Sequence, residues 1–470
     1  MMMEGIQIID VPVHWVNEGE KRLDAGFYAQ DVIKARVLLE KVSEKVKIEK
    51  LIDLADEMFM PALKITIPFY DEGEEYLTQS EVEFFLPKAR KRVNVNKIEN
   101  VDRWKVKSGY LLISQSGTIG RITIATKYLE RFIISPNPIR VIINESLRGY
   151  IYAFLSSWIG QALIKSPQYG ITVKHILPHQ LYDIPIPRIP DLEEEINQKI
   201  LQAHKLREEA QELLLKAEEM IYSELGLPKI DEDDVEYFGG EIGKLVKAFE
   251  VKASELEYRL DASYHLPIIK QIEKHLSEID WEVQPLNDKL KSIFIPPRFK
   301  RPFVKSQNDG IRYIRPSDLP MIKYFEPKYL AKTFKNCDLY RLNEGDILVV
   351  TDGTIGWVSI VTSFISGWYG SNNFARVVPT DDLNRGYLLV YLLSPYGQYQ
   401  LKREIFGGVI DHLTENHIRQ IKIPIPNNEI QDKIGSLVIE AYNKKDRANQ
   451  IEEEAIKELE TYLMEIAGGE

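Results

Sequence analysis

Few residues in this chain have the types and spacing that catalysis needs. His175 and His179 lie four apart, a separation that on a helix would aim two imidazoles at one metal ion. Pro178 between them breaks such a helix, and the single cysteine, Cys337, is remote in sequence. His412 and His417 make no better pair. Asp234, Glu250 and Lys252 have the types of a metal-dependent nuclease site, but they fall in an acidic stretch with no counterpart in the first half of the chain. Asn137-Pro138-Ile139 and Pro296-Pro297-Arg298 do not fit the Asn-Pro-Pro-aromatic loop of an adenine methyltransferase.

Residues suited to binding are more numerous, and they occur as two sets. Gly117-Thr118-Ile119-Gly120 follows Ser114-Gln115-Ser116, and Gly353-Thr354-Ile355-Gly356 follows Thr351-Asp352. Neither tetrapeptide has the Lys-Ser/Thr ending of a phosphate loop or opens a helix, which argues against nucleotide binding. Two readings fit. One is a glycine-supported turn between strands; the other is a loop tip whose hydroxyls and amides approach a DNA backbone.

Lys88, Arg90, Lys91, Arg92, Asn94 and Asn96 form a dense basic and amide-bearing run, with Arg298, Lys300, Arg301 and Lys305, beside Phe299 and Phe303, as its counterpart. Long cationic side chains neutralise phosphates, and Arg and Asn also pair bidentately with guanine and adenine edges. Gln168, Tyr169, Thr172 and Lys174 extend the first set; Trp368, Tyr369, Ser371, Asn372 and Asn373 extend the second.

The elements that must position these sets are themselves duplicated. Arg22-Leu23-Asp24-Ala25 returns as Arg259-Leu260-Asp261-Ala262, at an offset of about 237 residues. The same offset relates Tyr76 to Tyr313, Gly149-Tyr150 to Gly386-Tyr387, and Ser157 with Gly160-Gln161 to Ser394 with Gly397-Gln398. Ile184-Pro185-Ile186-Pro187 likewise answers to Ile423-Pro424-Ile425-Pro426. So long a period marks a repeated domain with its connector, not a solenoid.

Within each copy, short β-type runs flank the glycine turn (Gly109 to Ser114 and Arg121 to Ala125; Asp346 to Val350 and Val358 to Val361), and a helix starts near Gly149 or Gly386. Residues around Phe294 to Phe303 read as an irregular loop rather than core.

Two long amphipathic helices are expected, from about Leu192 to Leu225 and from about Asn428 to Ile466. Each carries alanine at every seventh position of one seam, Ala203, Ala210 and Ala217 in the first and Ala441, Ala448 and Ala455 in the second, so that two helices can approach closely. Lys205, Arg207, Glu208, Glu209, Lys216, Glu218 and Glu219 are placed on the outer face of the first helix. The expected partition is a domain over residues 1–190, a helix over 191–226, an acidic connector over 227–258, a second domain over 259–426 and a second helix over 427–470.

At 470 residues and 44% hydrophobic composition the chain can build two cores. Its net charge of −11 conceals a pattern: residues 191–257 hold about 19 acidic against about 8 basic side chains. Residues 87–175 hold about 15 basic against about 4 acidic, and residues 291–380 about 13 against about 7. Two basic modules flank an acidic connector, which keeps nucleic acid in view despite the acidic average. One cysteine allows no internal disulfide, the start lacks signal-peptide character, and no apolar run reaches the length of a membrane span, so a cytoplasmic, membrane-free protein is expected.

The paired Arg-Leu-Asp-Ala segments, the paired Gly-Thr-Ile-Gly turns and the Ile-Pro-Ile-Pro segments leading into long helices resemble the specificity subunit of type I restriction-modification systems, over essentially the whole chain. The resemblance implies a mixed α/β fold of two similar target recognition domains separated by two long antiparallel, coiled-coil-like helices, with a pseudo-twofold internal repeat. It implies a non-catalytic reader of a bipartite target in double-stranded DNA. The partners it implies are two methyltransferase subunits, which carry S-adenosylmethionine, and motor-nuclease subunits that can join them; no cofactor is expected on this chain. Because the two modules differ between their landmarks, as after Ile119 and Ile355, the target is expected to be asymmetric. An interaction scaffold without DNA, and a nuclease using Asp234, Glu250 and Lys252, are the alternative readings.

Overall fold

The computed structural model describes residues 11–18, 25–61, 69–70, 73–168, 174–230, 248–256, 259–406 and 411–468. Arg22-Leu23-Asp24, Tyr169, Thr172 and Asp234 therefore lie outside the described residues. The chain forms two compact units, Met1–Glu208 with Arg447–Glu470 and Glu209–Asp446. Each unit includes one half of each long helix, so the helices are part of the cores and not separate rods beside them.

Among the described residues each unit contains ten strands. In the first these are β1 (Lys47–Lys50), β2 (Ala55–Phe59), β3 (Phe69–Tyr70), β4 (Glu74–Leu77), β5 (Lys91–Val93), β6 (Leu111–Ile113), β7 (Ile122–Ile124), β8 (Ile133–Ile134), β9 (Ile139–Ile143) and β10 (Pro185–Arg188). The second has β11 (Glu282–Pro285), β12 (Leu290–Phe294), β13 (Phe303–Val304), β14 (Gly310–Ile314), β15 (Lys328–Ala331), β16 (Ile347–Val350), β17 (Val358–Ile360), β18 (Tyr369–Gly370), β19 (Phe374–Pro379) and β20 (Lys422–Ile425).

The sheets repeat strand for strand. Orders β2-β9-β6-β7 and β3-β5-β4-β8 in the first unit become β12-β19-β16-β17 and β13-β15-β14-β18 in the second, and the β1-β10 pair becomes β11-β20. Even the parallel pairing is shared, β4 with β8 and β14 with β18, in otherwise antiparallel sheets. The expected duplication of a mixed α/β module is borne out.

Both central strands are continuous apolar runs, Leu-Leu-Ile in β6 and Ile-Leu-Val-Val in β16, because both of their faces are covered. Alternation sends Leu111 and Ile113 toward the helix-side core, with Tyr150, Phe154 and Ile159, while Leu112 meets Leu77, Phe132 and Ile134 of the other sheet. In β16, Leu348 and Val350 pack against Ile314 and Phe374 in the same way.

The sequence landmarks turn out to be joints of this frame. Tyr150 Oη donates to the carbonyl of Pro187 at 2.6 Å, and Tyr387 Oη to that of Pro424 at 2.7 Å, so the Gly-Tyr helix is tied to the Ile-Pro-Ile-Pro strand in both units. Gly160 and Gly397 sit where a Cβ would lie 2.2 and 2.4 Å from the carbonyl oxygens of Phe154 and Tyr391, which leaves only glycine at the corner between consecutive helices. The next residue then reaches the glycine turn: Gln161 Nε2 donates to the carbonyl of Gly120, and Gln398 Nε2 to that of Gly356, both at 2.8 Å.

The long helices span Pro190–Leu225 and Asn428–Ile466. In the first unit Lys199 and Arg207 meet Glu458 and Glu452; in the second Glu209 and Glu224 meet Lys444 and Lys433. Rising numbers on one helix oppose falling numbers on the other, so the pair is antiparallel within each unit. All six seam alanines are fully buried, and Ala203 packs with Ala448 and Ile451.

Arg207 corrects the expectation of an outer-face position. It is buried, with Nη1 2.6 Å from Glu452 Oε2 and Nη2 donating to Asn449 Oδ1 at 2.9 Å. Burial opposes its charge, and the adjacent Glu452 more than restores it, leaving the pKa raised. Glu208 is also turned inward: its Oε1 accepts from Ser108 Oγ and from the Lys127 amide, both at 2.8 Å. At the equivalent position of the second helix Asp446 accepts from the Thr362 hydroxyl, so a helix carboxylate anchors the β-module in both units.

The Phe294 to Phe303 stretch needs a smaller correction. It is a loop between β12 and β13, yet Phe299 belongs to an aromatic core, with ring centroids 3.9 Å from Tyr340 and 5.4 Å from Phe334.

Candidate nucleic-acid interface

In each unit the glycine turn joins the two strands at one end of the central sheet, β6 to β7 and β16 to β17. Its glycines require the left-handed region, with φ of +70° and +85° at Gly117 and Gly120 and of +89° and +101° at Gly353 and Gly356. Ile119 and Ile355 are buried and plug the turn to the core, while Thr118 and Thr354 are exposed at the tip. The tetrapeptide is thus both a structural turn and a presented tip: one residue anchors, its neighbour is offered.

A second wall stands beside each turn. Ser116 bridges His175, and Asp352 bridges His412, as short antiparallel pairings. The amide of Ile176 donates to the carbonyl of Gln115 at 3.0 Å, and that of Leu413 to Thr351 at 2.8 Å. His175 Nδ1 lies 3.1 Å from Gln115 Oε1, and His412 Nδ1 is paired with an Asp352 carboxylate oxygen. The two histidines are one offset of 237 apart in sequence, a signal of the repeat that motif inspection aimed at metal sites passes over. In the first unit Gln79 closes the base, donating to the Ser116 carbonyl at 2.8 Å and accepting from the Gln115 amide at 3.0 Å.

Several sequence candidates are corrected by burial. Ser114 is buried, its hydroxyl donating to the Thr118 carbonyl and accepting from the Arg121 amide at 2.9 Å, so it shapes the turn from within. Thr351 is buried at the corresponding place. Tyr369 is wholly buried in β18 and donates its hydroxyl to the Lys332 carbonyl at 2.7 Å. Ser371 and Asn372 are buried as well, and Asn372 Oδ1 accepts from Arg301. Gln115 and Ser116 are half-buried in the base of the loop.

Lys88, Arg90, Lys91, Arg92, Lys174, Arg298, Lys300, Arg301 and Lys305 are exposed, as are the tip threonines. Asn94 is half-buried and caps a short turn, its side chain accepting from the Asn96 amide at 3.0 Å. Asn373 is half-buried, with its Oδ1 accepting from Asn372 Nδ2 at 2.6 Å.

The pairing of the two basic runs also changes. Lys88 to Arg92 lead into β5, whose positional equivalent is β15, so the corresponding stretch of the second unit runs from Lys323 to Lys332, preceded in both cases by a Leu-Pro step. Arg298 to Lys305 instead lead into the edge strand β13. Composition matched the runs by charge density; strand order matches them differently.

Each unit also buries an arginine that sequence reading did not single out. Arg140 of β9 has no exposed surface, and its guanidinium donates to the carbonyls of Pro138 at 2.7 Å, Ser135 at 3.0 Å and Ile134 at 3.2 Å. Burial pulls its pKa down to about 9, which still leaves it charged at neutral pH. Arg376 of β19, in the same register, donates to the Arg341 carbonyl at 2.6 Å.

Among the described residues no group of three or more His, Cys, Asp or Glu could hold a metal ion. Among them, too, no helix is long and apolar enough to cross a membrane.

Comparison with known proteins finds a likeness over part of the chain. Residues 278–461 match the model of the type I restriction modification DNA specificity domain. That stretch of the chain is similar to the specificity domain. The matched stretch covers β11 to β20 and most of the second long helix. A curated relative, the type I restriction enzyme MjaIX specificity subunit of Methanocaldococcus jannaschii, is 27% identical over 192 residues, 38% of this chain. The match spans 43% of that relative's length. Among solved structures, the type I restriction-modification S subunit of M. genitalium is similar with a TM-score of 0.36 at 12% identity, over 90% of this chain and 96% of that one. The HsdS subunit of Thermoanaerobacter tengcongensis is similar with a TM-score of 0.28 at 14% identity, over 90% and 95%.

Proposed function

We propose that this chain is the sequence-specific DNA-binding subunit of a type I restriction-modification complex. Each unit reads one half of a bipartite, asymmetric target. The reading rests on one observation above the others: a single ten-strand module is built twice, and the second copy matches a DNA specificity domain. What repeats is the frame; what differs, the exposed basic and amide side chains, is where the two half-sites are told apart.

The chain itself performs no chemistry in this reading. It holds double-stranded DNA while two methyltransferase subunits, docked on the long helices, take an adenine from the stack and methylate it with S-adenosylmethionine that they bind. Motor-nuclease subunits join the same assembly, and the complex works in the cytoplasm. Target recognition domains over residues 1–190 and 259–426 and spacer helices over 191–226 and 427–470, with an acidic connector over 227–258, are the proposed functional segments.

Phosphate contacts come from exposed cations. Lys88, Lys91 and Lys174 in the first unit and Lys300 and Lys305 in the second are proposed for this role, and Arg90, Arg92 and Arg298 for base edges as well as phosphates. Thr118 and Thr354 place a hydroxyl on the backbone, while Gln115, Ser116, Asn94 and Asn373 line the approach.

If about six of these cations neutralise phosphates, affinity for duplex DNA falls roughly 10³-fold between 50 and 200 mM salt. A salt titration with the full chain, alone and with its methyltransferase, checks this. Binding that barely changes with salt, or no binding in either form, would favour a protein-interaction scaffold.

A further inference from the structure

Arg301 is an exposed arginine held firmly on one edge. Its Nε donates to Tyr313 Oη at 2.7 Å and its Nη2 to Asn372 Oδ1 at 3.0 Å. The guanidinium carbon also lies 5.7 Å from the ring centroids of both Phe299 and Tyr313. Tyr313 and Asn372 are each buried, so the supports are part of the core.

Those supports connect to the glycine turn. Asn372 Nδ2 donates to Asn373 Oδ1 at 2.6 Å, and the Asn373 carbonyl accepts the Thr351 amide at 2.9 Å, two residues before Gly353. Both groups that hold Arg301 are neutral, so its charge is oriented without being cancelled. This differs from Arg315, which is spent on the Asp318 carboxylate at 2.7 Å.

The two bonds use Nε and one proton of Nη2. Left on the opposite edge are Nη1 and the second Nη2 proton, a planar fork of parallel donors. In the major groove guanine alone presents two neighbouring acceptors, O6 and N7, that fit such a fork. A phosphate needs no such fixing, and Lys300 and Lys305 nearby in sequence can serve it with flexible stems.

We propose that Arg301 reads a guanine in the half-site of the second unit, with Tyr313 and Asn372 as positioning residues. The inference rests on the DNA-reading function proposed above and adds to it a base and a residue.

The test is selection from a random duplex library by the full chain, in complex with its methyltransferase where binding requires it. Wild type is expected to enrich a bipartite motif with a guanine at one position of one half. Arg301→Gln should lower the preference for that guanine about 5- to 150-fold, leaving the other half and the spacing unchanged. Arg301→Lys, a donor without a fork, should lose most of it too. Tyr313→Phe should weaken the same preference to a smaller degree, which a purely structural role would not do at one base. Retention of the other positions of the same half-site reports that the second unit of each variant is folded.

A wild-type motif that survives Arg301→Gln unchanged overturns the inference and leaves DNA reading intact. So does an even loss of affinity across all sequences, the mark of a phosphate contact. Enrichment of no motif by wild type overturns DNA reading itself, and this inference with it.

Discussion

Replacing Glu452 by alanine is expected to destabilise the first unit by about 3–5 kcal/mol. Glu452 and Arg207 are almost wholly removed from solvent, and each has given up its hydration for the other. Removing the carboxylate leaves the guanidinium in a closed seam with only the neutral Asn449 and Tyr152 beside it among the described partners, and removes the acceptor that Tyr152 Oη reaches at 2.9 Å. The seam cannot open to admit water cheaply, because Ala203 and Ala448 hold the helices close. Hydrogen exchange on peptides around Arg207 and Glu452 reads the loss directly. The double replacement Arg207→Met with Glu452→Met should recover most of it, since an apolar pair of similar volume has no desolvation to offset. A double variant as unstable as the sum of the two singles would mean that the pair is not coupled.

Arg140→Ala is expected to cost about 3 kcal/mol or more. Four carbonyl oxygens on the segment from Ile134 to Pro138, and that of Trp104, accept from one guanidinium, and among the described residues no carboxylate shares the site. Truncation therefore strips several buried acceptors at once and leaves a cavity between β8 and β9. Exchange at Ile133–Ile134 and Ile139–Ile143 should accelerate. Arg376→Ala should act in the same sense on β18 and β19, more mildly, because fewer carbonyls depend on it. Unaltered protection in the Arg140 variant would show that those carbonyls find other partners.

The fold was legible in the chain to the extent that periodicity and glycine carry information. Heptad alanines appear in sequence because close helix approach admits little else, and all of them proved buried. The glycine turns are legible because only glycine is comfortable at their positive φ. Gln161 and Gln398 were visible as a repeat, but their task, gripping the turn, depends on a contact 41 and 42 residues away.

Charge misled where it was read by type and not by place. Arg207 reads as an outer-face residue because it is charged, yet it stands four after Ala203 and three before Ala210, the spacing of the seam itself. Arg140 and Arg376 were hidden for the same reason, inside apolar strands, although their offset of 236 matches the repeat. Tyr369 reads as a binding candidate beside its polar neighbours, yet it is buried. A two-residue strand is too short to announce the alternation that buries it.

The candidate interface was legible in composition and only partly in geometry. Exposed cations stayed exposed, since nothing in the core can accept them without a partner. Ser114 and Thr351 did not, because a hydroxyl next to a tight turn is as readily used by the turn as by a ligand. Matching the basic runs between units required strand order, which charge density does not encode.

Genome-wide mapping of modified adenines tests most directly whether two units read two half-sites. The host is compared without this chain, with the wild-type chain, and with Arg90→Ala plus Arg92→Ala or Arg298→Ala. The wild type should produce one bipartite, asymmetric modified motif that is absent without the chain. The first-unit variant should relax one half of it and the second-unit variant the other. A modification pattern indifferent to the chain, or equal relaxation of both halves by either variant, would contradict this reading.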